Sequence, residues 1–323
     1  MLAVHLENKR VTLKNAPRPR RKPGYAVIRP LYAGICNTDI ELLRGYYGFR
    51  GTPGHEFVGE VVAGSPELVG KRVVGEINLS CTRCSWCRRG LGRHCPRRTV
   101  LGIVKHPGAM AELLSLPERN LHVVPRQVSS EQAVFVEPLA AACEILEQVA
   151  IPAGTAVAVL GDGKLGLLIA QVLAARGLRV HLFGRHREKL RIAARAGVAG
   201  EVAGKKLPVA AYDYVVDATG SREGLAQAVA MCRPRGTVIL KSTVHGATPL
   251  DAAPVIVNEV TLVGSRCGPF EPALDLLAAG RVRVEDMISE RFPLHRAPAA
   301  FRAAQQKGVL KVLLCDNESS FRG

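Results

Sequence analysis

The chain has 323 residues, enough for two domains with packed cores, and its 47% hydrophobic and 22% charged residues exclude a disordered tail or a bare zinc finger. A surplus of 44 Lys and Arg over 28 Asp and Glu gives a net charge of +16, which favours anionic ligands (phosphates, nucleic acid, acidic surfaces) without choosing among them. Nine cysteines, several lying singly in apolar segments, argue against a secreted disulfide scaffold; no apolar run reaches the roughly 18 residues of a membrane span, and a cytoplasmic protein is expected.

From residue 1 to about 138 the pattern is one of short β-like runs, "YAVIRPLYAG", "EFVGEVVAG" and "KRVVGEI", punctuated by glycine and proline. Within it "AGICNTDIELLRG" offers Cys36, Thr38 and Asp39, "TPGHEFVGEV" offers His55 and Glu56, and "VEPLAAA" offers Glu137. Taken singly each is ordinary, since a lone cysteine is usually buried filler and a His-Glu pair a satisfied loop feature. Together they supply a thiolate, an imidazole and one or two carboxylates, enough for a zinc ion with an exchangeable fourth position. The stretch "CTRCSWCRRGLGRHC" spaces Cys81, Cys84, Cys87 and Cys95 as C-x2-C-x2-C-x7-C. Four thiolates close a tetrahedron around zinc and leave no open position, which predicts a structural site. A redox pair would need its C-x-x-C at a helix start after a strand, and a nucleic-acid finger would need a recognition helix or a second knuckle; neither pattern follows.

At "VEPLAAACEILEQVAIPAG" the texture changes to alanine and leucine at helical spacing. Strands "AVAVLG", "RVHLFG", "YDYVVDATG", "GTVILKS" and "VTLVGS" then follow, the earlier ones separated by helices "KLGLLIAQVLAARG", "REKLRIAARAG" and "EGLAQAVAMC". That order predicts the α/β class, a doubly wound parallel sheet of Rossmann type with helices on both faces. After about residue 267 come two more helical stretches and the strand "KVLLC", which could rejoin either domain. In "VAVLGDGKLG" the glycines Gly161, Gly163 and Gly166 form G-x-G-x-x-G, with Lys164 and Leu165 opening the helix. The first glycine permits the tight turn, the second lets backbone approach a pyrophosphate, and the third lets helix pack on strand. The next strand ends in "VHLFGRHREK", so Gly184 stands where NAD-binding domains place an acid on the adenosine ribose, and Arg185, His186 and Arg187 follow. A carboxylate would repel a 2′-phosphate, whereas glycine and guanidinium groups admit it; NADP is therefore favoured, with NAD remaining open.

These motifs, with "GICNTD", "PGHEFVGEVV", "VEPLA", "GDGKLG", "DYVVDATGS" and the terminal "KVLL" in order over nearly the whole chain, resemble the zinc-dependent medium-chain dehydrogenase/reductase family in its sorbitol- and threonine-dehydrogenase-like branch. The resemblance implies a GroES-like, mainly-β catalytic domain from residues 1–139 and 267–323, with the zinc lobe at 81–95, and a Rossmann domain at 140–266. It implies Cys36, His55 and Glu137 as ligands of a catalytic zinc with Glu56 as an exchanging ligand, Thr38 as proton relay, and Asp39 as the carboxylate that orients His55. It also implies Lys189 and Thr219 at the dinucleotide and Lys311 on its pyrophosphate, while Glu41 stands where many relatives end the relay with histidine. The expected activity is hydride transfer between an alcohol or polyol and NADP or NAD, with one catalytic and one structural zinc, in a homodimer or homotetramer with no membrane partner. The alternative is a non-catalytic NADP sensor or a nucleic-acid-binding protein, for which the surplus charge is the main support; that charge is spread along the chain.

Overall fold

The β-like runs of the first segment fold as antiparallel strands. A hairpin of β1 (Leu2–Glu7) and β2 (Arg10–Asn15) reverses at Asn8 and Lys9, both at positive φ (50° and 58°), as a two-residue hairpin turn requires. There follow β3 (Tyr25–Ile35), α1 (Asn37–Leu43), β4 (Glu56–Ala63) and β5 (Arg72–Gly75). A small lobe holds β6 (Asn78–Leu79), α2 (Ser85–Arg88), β7 (Thr99–Leu101) and β8 (Lys105–His106). The chain continues through β9 (Leu114–Pro117), β10 (Leu121–Val123) and α3 (Ser130–Ala133), the last started by Ser129, whose hydroxyl accepts the Gln132 amide while Gln132 reaches back to the Ser129 amide.

The second texture folds as read, with a strand at Ala199–Val202 and a helix at Ala253–Val257 in addition. In order come α4 (Val136–Gln148), β11 (Ala156–Leu160), α5 (Lys164–Ala175), β12 (Arg179–Gly184), α6 (Arg187–Arg195), β13 (Ala199–Val202), β14 (Tyr212–Asp217), α7 (Gly224–Met231), β15 (Cys232–Leu240), α8 (Ala253–Val257), β16 (Thr261–Gly264) and α9 (Phe270–Ala278). The chain closes with β17 (Ile288–Pro293), α10 (Ala297–Ala303) and β18 (Lys311–Cys315). Residues 1–204, 206–242 and 248–316 are described in this computed structural model. The tail of the expected catalytic segment, 317–323, lies outside the described residues.

Two compact units result, Met1–Glu137 with Met287–Gly323, and Pro138–Asp286. In the first, a seven-stranded sheet runs β10-β5-β4-β3-β18-β17 with β9 also on β3. Here "KVLLC" finds its place: β18 lies antiparallel to β3 and parallel to β17, pairing Val312 with Ile35. Ile28, Ile35, Val58, Val61, Val73 and Leu116 are wholly buried, each worth about 1.5–3 kcal/mol of transfer free energy at most. In the second, six parallel strands run β13-β12-β11-β14-β15-β16, the doubly wound order expected. Val157, Ala158 and Val159 of its central strand are fully buried, as a sheet covered on both faces demands.

The first boundary falls at Glu137, beside the expected 139, but the second falls at Met287 instead of 267. The intervening stretch is held by the second unit: Gly268 presses so closely on the Ala140 carbonyl that a Cβ would collide with it, the Arg281 guanidinium donates to Ala175 O (2.9 Å), and the Arg283 amide donates to the Gln171 side chain (2.8 Å).

Candidate metal centres and dinucleotide cradle

The Cys36-x-x-Asp39 spacing is a helix start. Cys36 is the N-cap of α1, and Asp39 reaches back so that its Oδ2 accepts the Cys36 amide at 2.9 Å. The other oxygen, Oδ1, accepts the Gly54 amide at 3.2 Å and lies 3.6 Å from Nδ1 of His55. One fully buried carboxylate thus ties the helix, the Pro-Gly-His loop and the imidazole together. Gly54 needs its freedom here, with φ +102° and Met110 Cγ at 2.7 Å from any Cβ. Glu56 follows as the first residue of β4, opposite Gly34 on β3.

Cys36, His55 and Glu56 bring one ligand atom each to within 4.8 Å of one another. Thr38 lies alongside, its hydroxyl 3.8 Å from the Cys36 sulfur. Glu137, expected as the third ligand, is outside this close group; its charge instead helps keep Lys311 protonated. Glu41 is engaged by Arg44 at 2.8 Å on the same helix. Lys311, expected on the pyrophosphate, is 1% exposed, with Nζ on Glu56 Oε2 and 5.5 Å from the centre of the Phe135 ring. The structure therefore puts it beside Cys36, His55 and Glu56. Gly34 makes the room, since a Cβ there would lie 2.8 Å from Glu56 Oε2 and 2.9 Å from Val134.

The electrostatics of this pocket call for positive charge. Burial pulls the His55 ring toward neutrality, yet the Asp39 carboxylate and the Cys36 thiol outweigh it and hold the ring well above the ordinary histidine value. Burial likewise disfavours charged Lys311, and Glu56, Cys36 and Glu137 outweigh it and raise its value. His55 Nδ1 is buried without a full hydrogen bond, its nearest acceptor being Asp39 just out of reach. A thiolate, an imidazole backed by a carboxylate, and a second carboxylate fit a zinc ion.

Cys81, Cys84, Cys87 and Cys95 converge in the small lobe, Cys84 serving as N-cap of α2. Their sulfurs lie 3.5 Å (Cys84–Cys87 and Cys95–Cys81), 3.7 Å (Cys84–Cys95) and 4.0 Å (Cys81–Cys87) apart. A tetrahedron with Zn–S of about 2.3 Å has edges of about 3.8 Å, so the four atoms already stand at zinc-site spacing. The four thiols are unequal: the Arg83 and Cys84 amides bring the Cys81 thiol down to about 6, while burial and the neighbouring sulfurs push Cys87 up to about 11. The arginines of the lobe bind backbone and ring, Arg88 on Arg83 O (2.8 Å), Arg98 on Cys95 O (3.0 Å) and Arg89 over Trp86 (5.2 Å).

In the other unit, Gly161 turns with φ +108° and a Cβ on it would lie 2.5 Å from Ala218 O. Gly163, the N-cap of α5, has open space where a side chain would be, and Gly166 packs so tightly on the Gly161 carbonyl that no Cβ fits. That is the cradle the spacing predicts, with the amides at Lys164 and Leu165 at the helix start. A Gly166→Ala variant is expected to lose at least about 1–3 kcal/mol of stability from overpacking and to bind dinucleotides at least about tenfold more weakly, measured by thermal melting and cofactor titration. Thr219 sits beside the first glycine, its amide and hydroxyl donating to the buried Asp217 at 2.9 and 2.7 Å. Arg185 and Arg187 are exposed and Lys189 half-buried near the start of α6.

Sequence reasoning missed Asp162, the middle residue of Gly161-Asp162-Gly163. It is 7% exposed, and its Oδ2 accepts the amides of Arg185 (2.7 Å) and His186 (2.6 Å) and the His186 ring at Nδ1 (3.0 Å). The signal was the parallel register of β11 and β12, which pairs Leu160 with Phe183 and so sets the loop beside Gly184.

The alcohol dehydrogenase GroES-like domain family matches residues 22–126, and the zinc-binding dehydrogenase family matches residues 165–279. A D-arabitol-phosphate dehydrogenase of Enterococcus avium is 28% identical, with 94% of this chain and 93% of that protein covered. Alcohol dehydrogenase TADH from Thermus sp. ATN1 is 32% identical with a TM-score of 0.87, over 98% of this chain and 99% of that one. A zinc-binding dehydrogenase structure from Sinorhizobium meliloti, bound to NADP, is 29% identical with a TM-score of 0.89, over 97% and 98% of the two chains.

Proposed function

The chain belongs to the zinc-dependent medium-chain dehydrogenase/reductase family, in its sorbitol-dehydrogenase-like branch, and from that premise we propose that it interconverts an alcohol or polyol and the matching carbonyl compound, with NAD or NADP as hydride partner. The observation that carries the reading is the convergence of Cys36, His55 and Glu56 in one pocket, with Asp39 fixed behind His55.

When bound, zinc supplies a Lewis acid for the substrate hydroxyl and the nicotinamide supplies a hydride acceptor. Cys36 and His55 would hold the metal, and their closeness to Glu56 supports Glu56 over Glu137 as the third ligand. Asp39 keeps the imidazole aimed and its second nitrogen protonated. Thr38 takes up the hydroxyl proton; because Glu41 is tied to Arg44, water is the next acceptor. Lys311 balances Glu56 so that a buried carboxylate persists beside the metal. Gly161, Gly163 and Gly166 receive the pyrophosphate on backbone amides. At the adenosine end two groups oppose each other: exposed Arg185 and Arg187 support the NADP preference read from sequence, and the buried Asp162 carboxylate opposes it. The non-catalytic and nucleic-acid alternative draws no support from relatives that are dehydrogenases.

Metal analysis with a cofactor-dependent screen of alcohols and polyols, comparing NAD with NADP, tests this function; a zinc-loaded protein that reduces neither cofactor with any of them would sink it. We also propose a second, structural zinc on the four cysteines. A Cys95→Ser variant is expected to carry about one zinc per chain where wild type carries about two, and to melt at lower temperature. Assembly into dimers or tetramers, implied by the resemblance, is checked by light scattering.

A further inference from the structure

The strand β12 ends in glycine at the place where a dinucleotide site that prefers NAD carries an acid for the ribose hydroxyls. The space beside that glycine is nevertheless filled. A Cβ built on Gly184 would lie 2.5 Å from the Asp162 Cβ, 2.7 Å from its Cγ and 2.6 Å from its Oδ2. The carboxyl group of Asp162 thus occupies the volume in which a side chain at 184 would begin. We propose that Asp162 selects the cofactor: its carboxylate, delivered from the glycine-rich loop into the space left by Gly184, receives the adenosine ribose hydroxyls and repels a 2′-phosphate, so that NAD is used in preference to NADP. This rests on reading the cradle as a dinucleotide site.

Three observations support the assignment. The carboxylate is held in place, because Oδ2 takes the Arg185 and His186 amides at 2.7 and 2.6 Å and the His186 ring at 3.0 Å. It keeps capacity for a ligand, because among the described residues Oδ1 meets one hydrogen-bond partner, the same ring nitrogen at 3.1 Å, and a carboxylate oxygen has two lone pairs. It also consumes the two strand-end amides that would otherwise cradle a phosphate. Against it stand the guanidinium groups of Arg185 and Arg187, which are exposed and screened, whereas Asp162 is 7% exposed and its field is not. On this proposal the buried charge decides, against the NADP preference that glycine at 184 favours.

Titration of the full chain with NADH and NADPH, followed by nicotinamide fluorescence, tests this without knowledge of the substrate. Wild type is expected to bind NADH at least about tenfold more tightly than NADPH, and Asp162→Asn, which keeps the shape and removes the charge, to shift that ratio at least about tenfold toward NADPH. Gly184→Asp alone has no room and is expected to weaken both cofactors, while Asp162→Gly/Gly184→Asp, which moves the acid from loop to strand, is expected to restore the preference for NADH. Wild type favouring NADPH, or a ratio unmoved by Asp162→Asn in a protein that melts normally, would overturn the proposal alone. Binding of neither cofactor by wild type would overturn it together with the dinucleotide reading beneath it.

Discussion

A Cys36→Ser variant that retains its fold is expected to oxidise alcohols at least about a thousandfold more slowly than wild type, a loss of roughly 4 kcal/mol of transition-state stabilisation. Serine keeps its proton near neutral pH, so the pocket would lose the soft anionic donor that most distinguishes zinc from other divalent ions. Zinc content should fall in parallel, and the start of α1 should survive because Asp39 still accepts the residue-36 amide. Steady-state kinetics and metal analysis on the same preparation check this. Wild-type rates from a folded Cys36→Ser protein would remove metal-assisted catalysis from the account.

The second large effect concerns stability. In the metal-free protein, replacing Lys311 with methionine preserves much of the volume but leaves Glu56 buried beside Cys36 without its counter-ion, and is expected to cost about 3–5 kcal/mol, measured by denaturant unfolding in the presence of a chelator. Both side chains are 1% exposed, so water cannot replace the lost ammonium group. Adding Glu56→Gln to Lys311→Met removes the stranded charge and should return most of that stability. A single variant as stable as wild type would show that Glu56 is neutral or otherwise paired in the folded protein.

The α/β alternation was legible in the sequence because buried parallel strands carry apolar runs, unbroken in β11 and shorter in β12 (Leu182, Phe183) and β14 (Val215, Val216). The four-cysteine knuckle was legible because its sulfurs come from one short stretch, whereas the pairing of Cys36 with Asp39 came only with the family resemblance, and its spacing is that of a helix start. By contrast β13, Ala-Gly-Glu-Val, is exposed at all four positions and carries no hydrophobic pattern to read. Asp162 escaped because its role depends on a neighbouring strand's register, not on its own motif. The place of Lys311 escaped for the same reason on a longer scale, its partner Glu56 lying 255 residues away. Glu137 shows the converse: the motif that carries it is recognisable, yet the close group forms without it.

The insertion of β18 between β3 and β17 has a kinetic meaning. During synthesis β3 and β4 emerge early and can pair with each other, and β9 later covers Tyr25–Ile28 of β3, but the free edge from Tyr32 to Ile35 must wait for the last described strand, and the Glu56 carboxylate waits for its lysine over the same interval. A ribosome adding roughly 5–20 residues per second imposes a delay of tens of seconds between them. Throughout it the nascent sheet exposes an apolar flank, which makes the half-made chain a client for holding chaperones and a C-terminal truncation ending before β18 a candidate for aggregation.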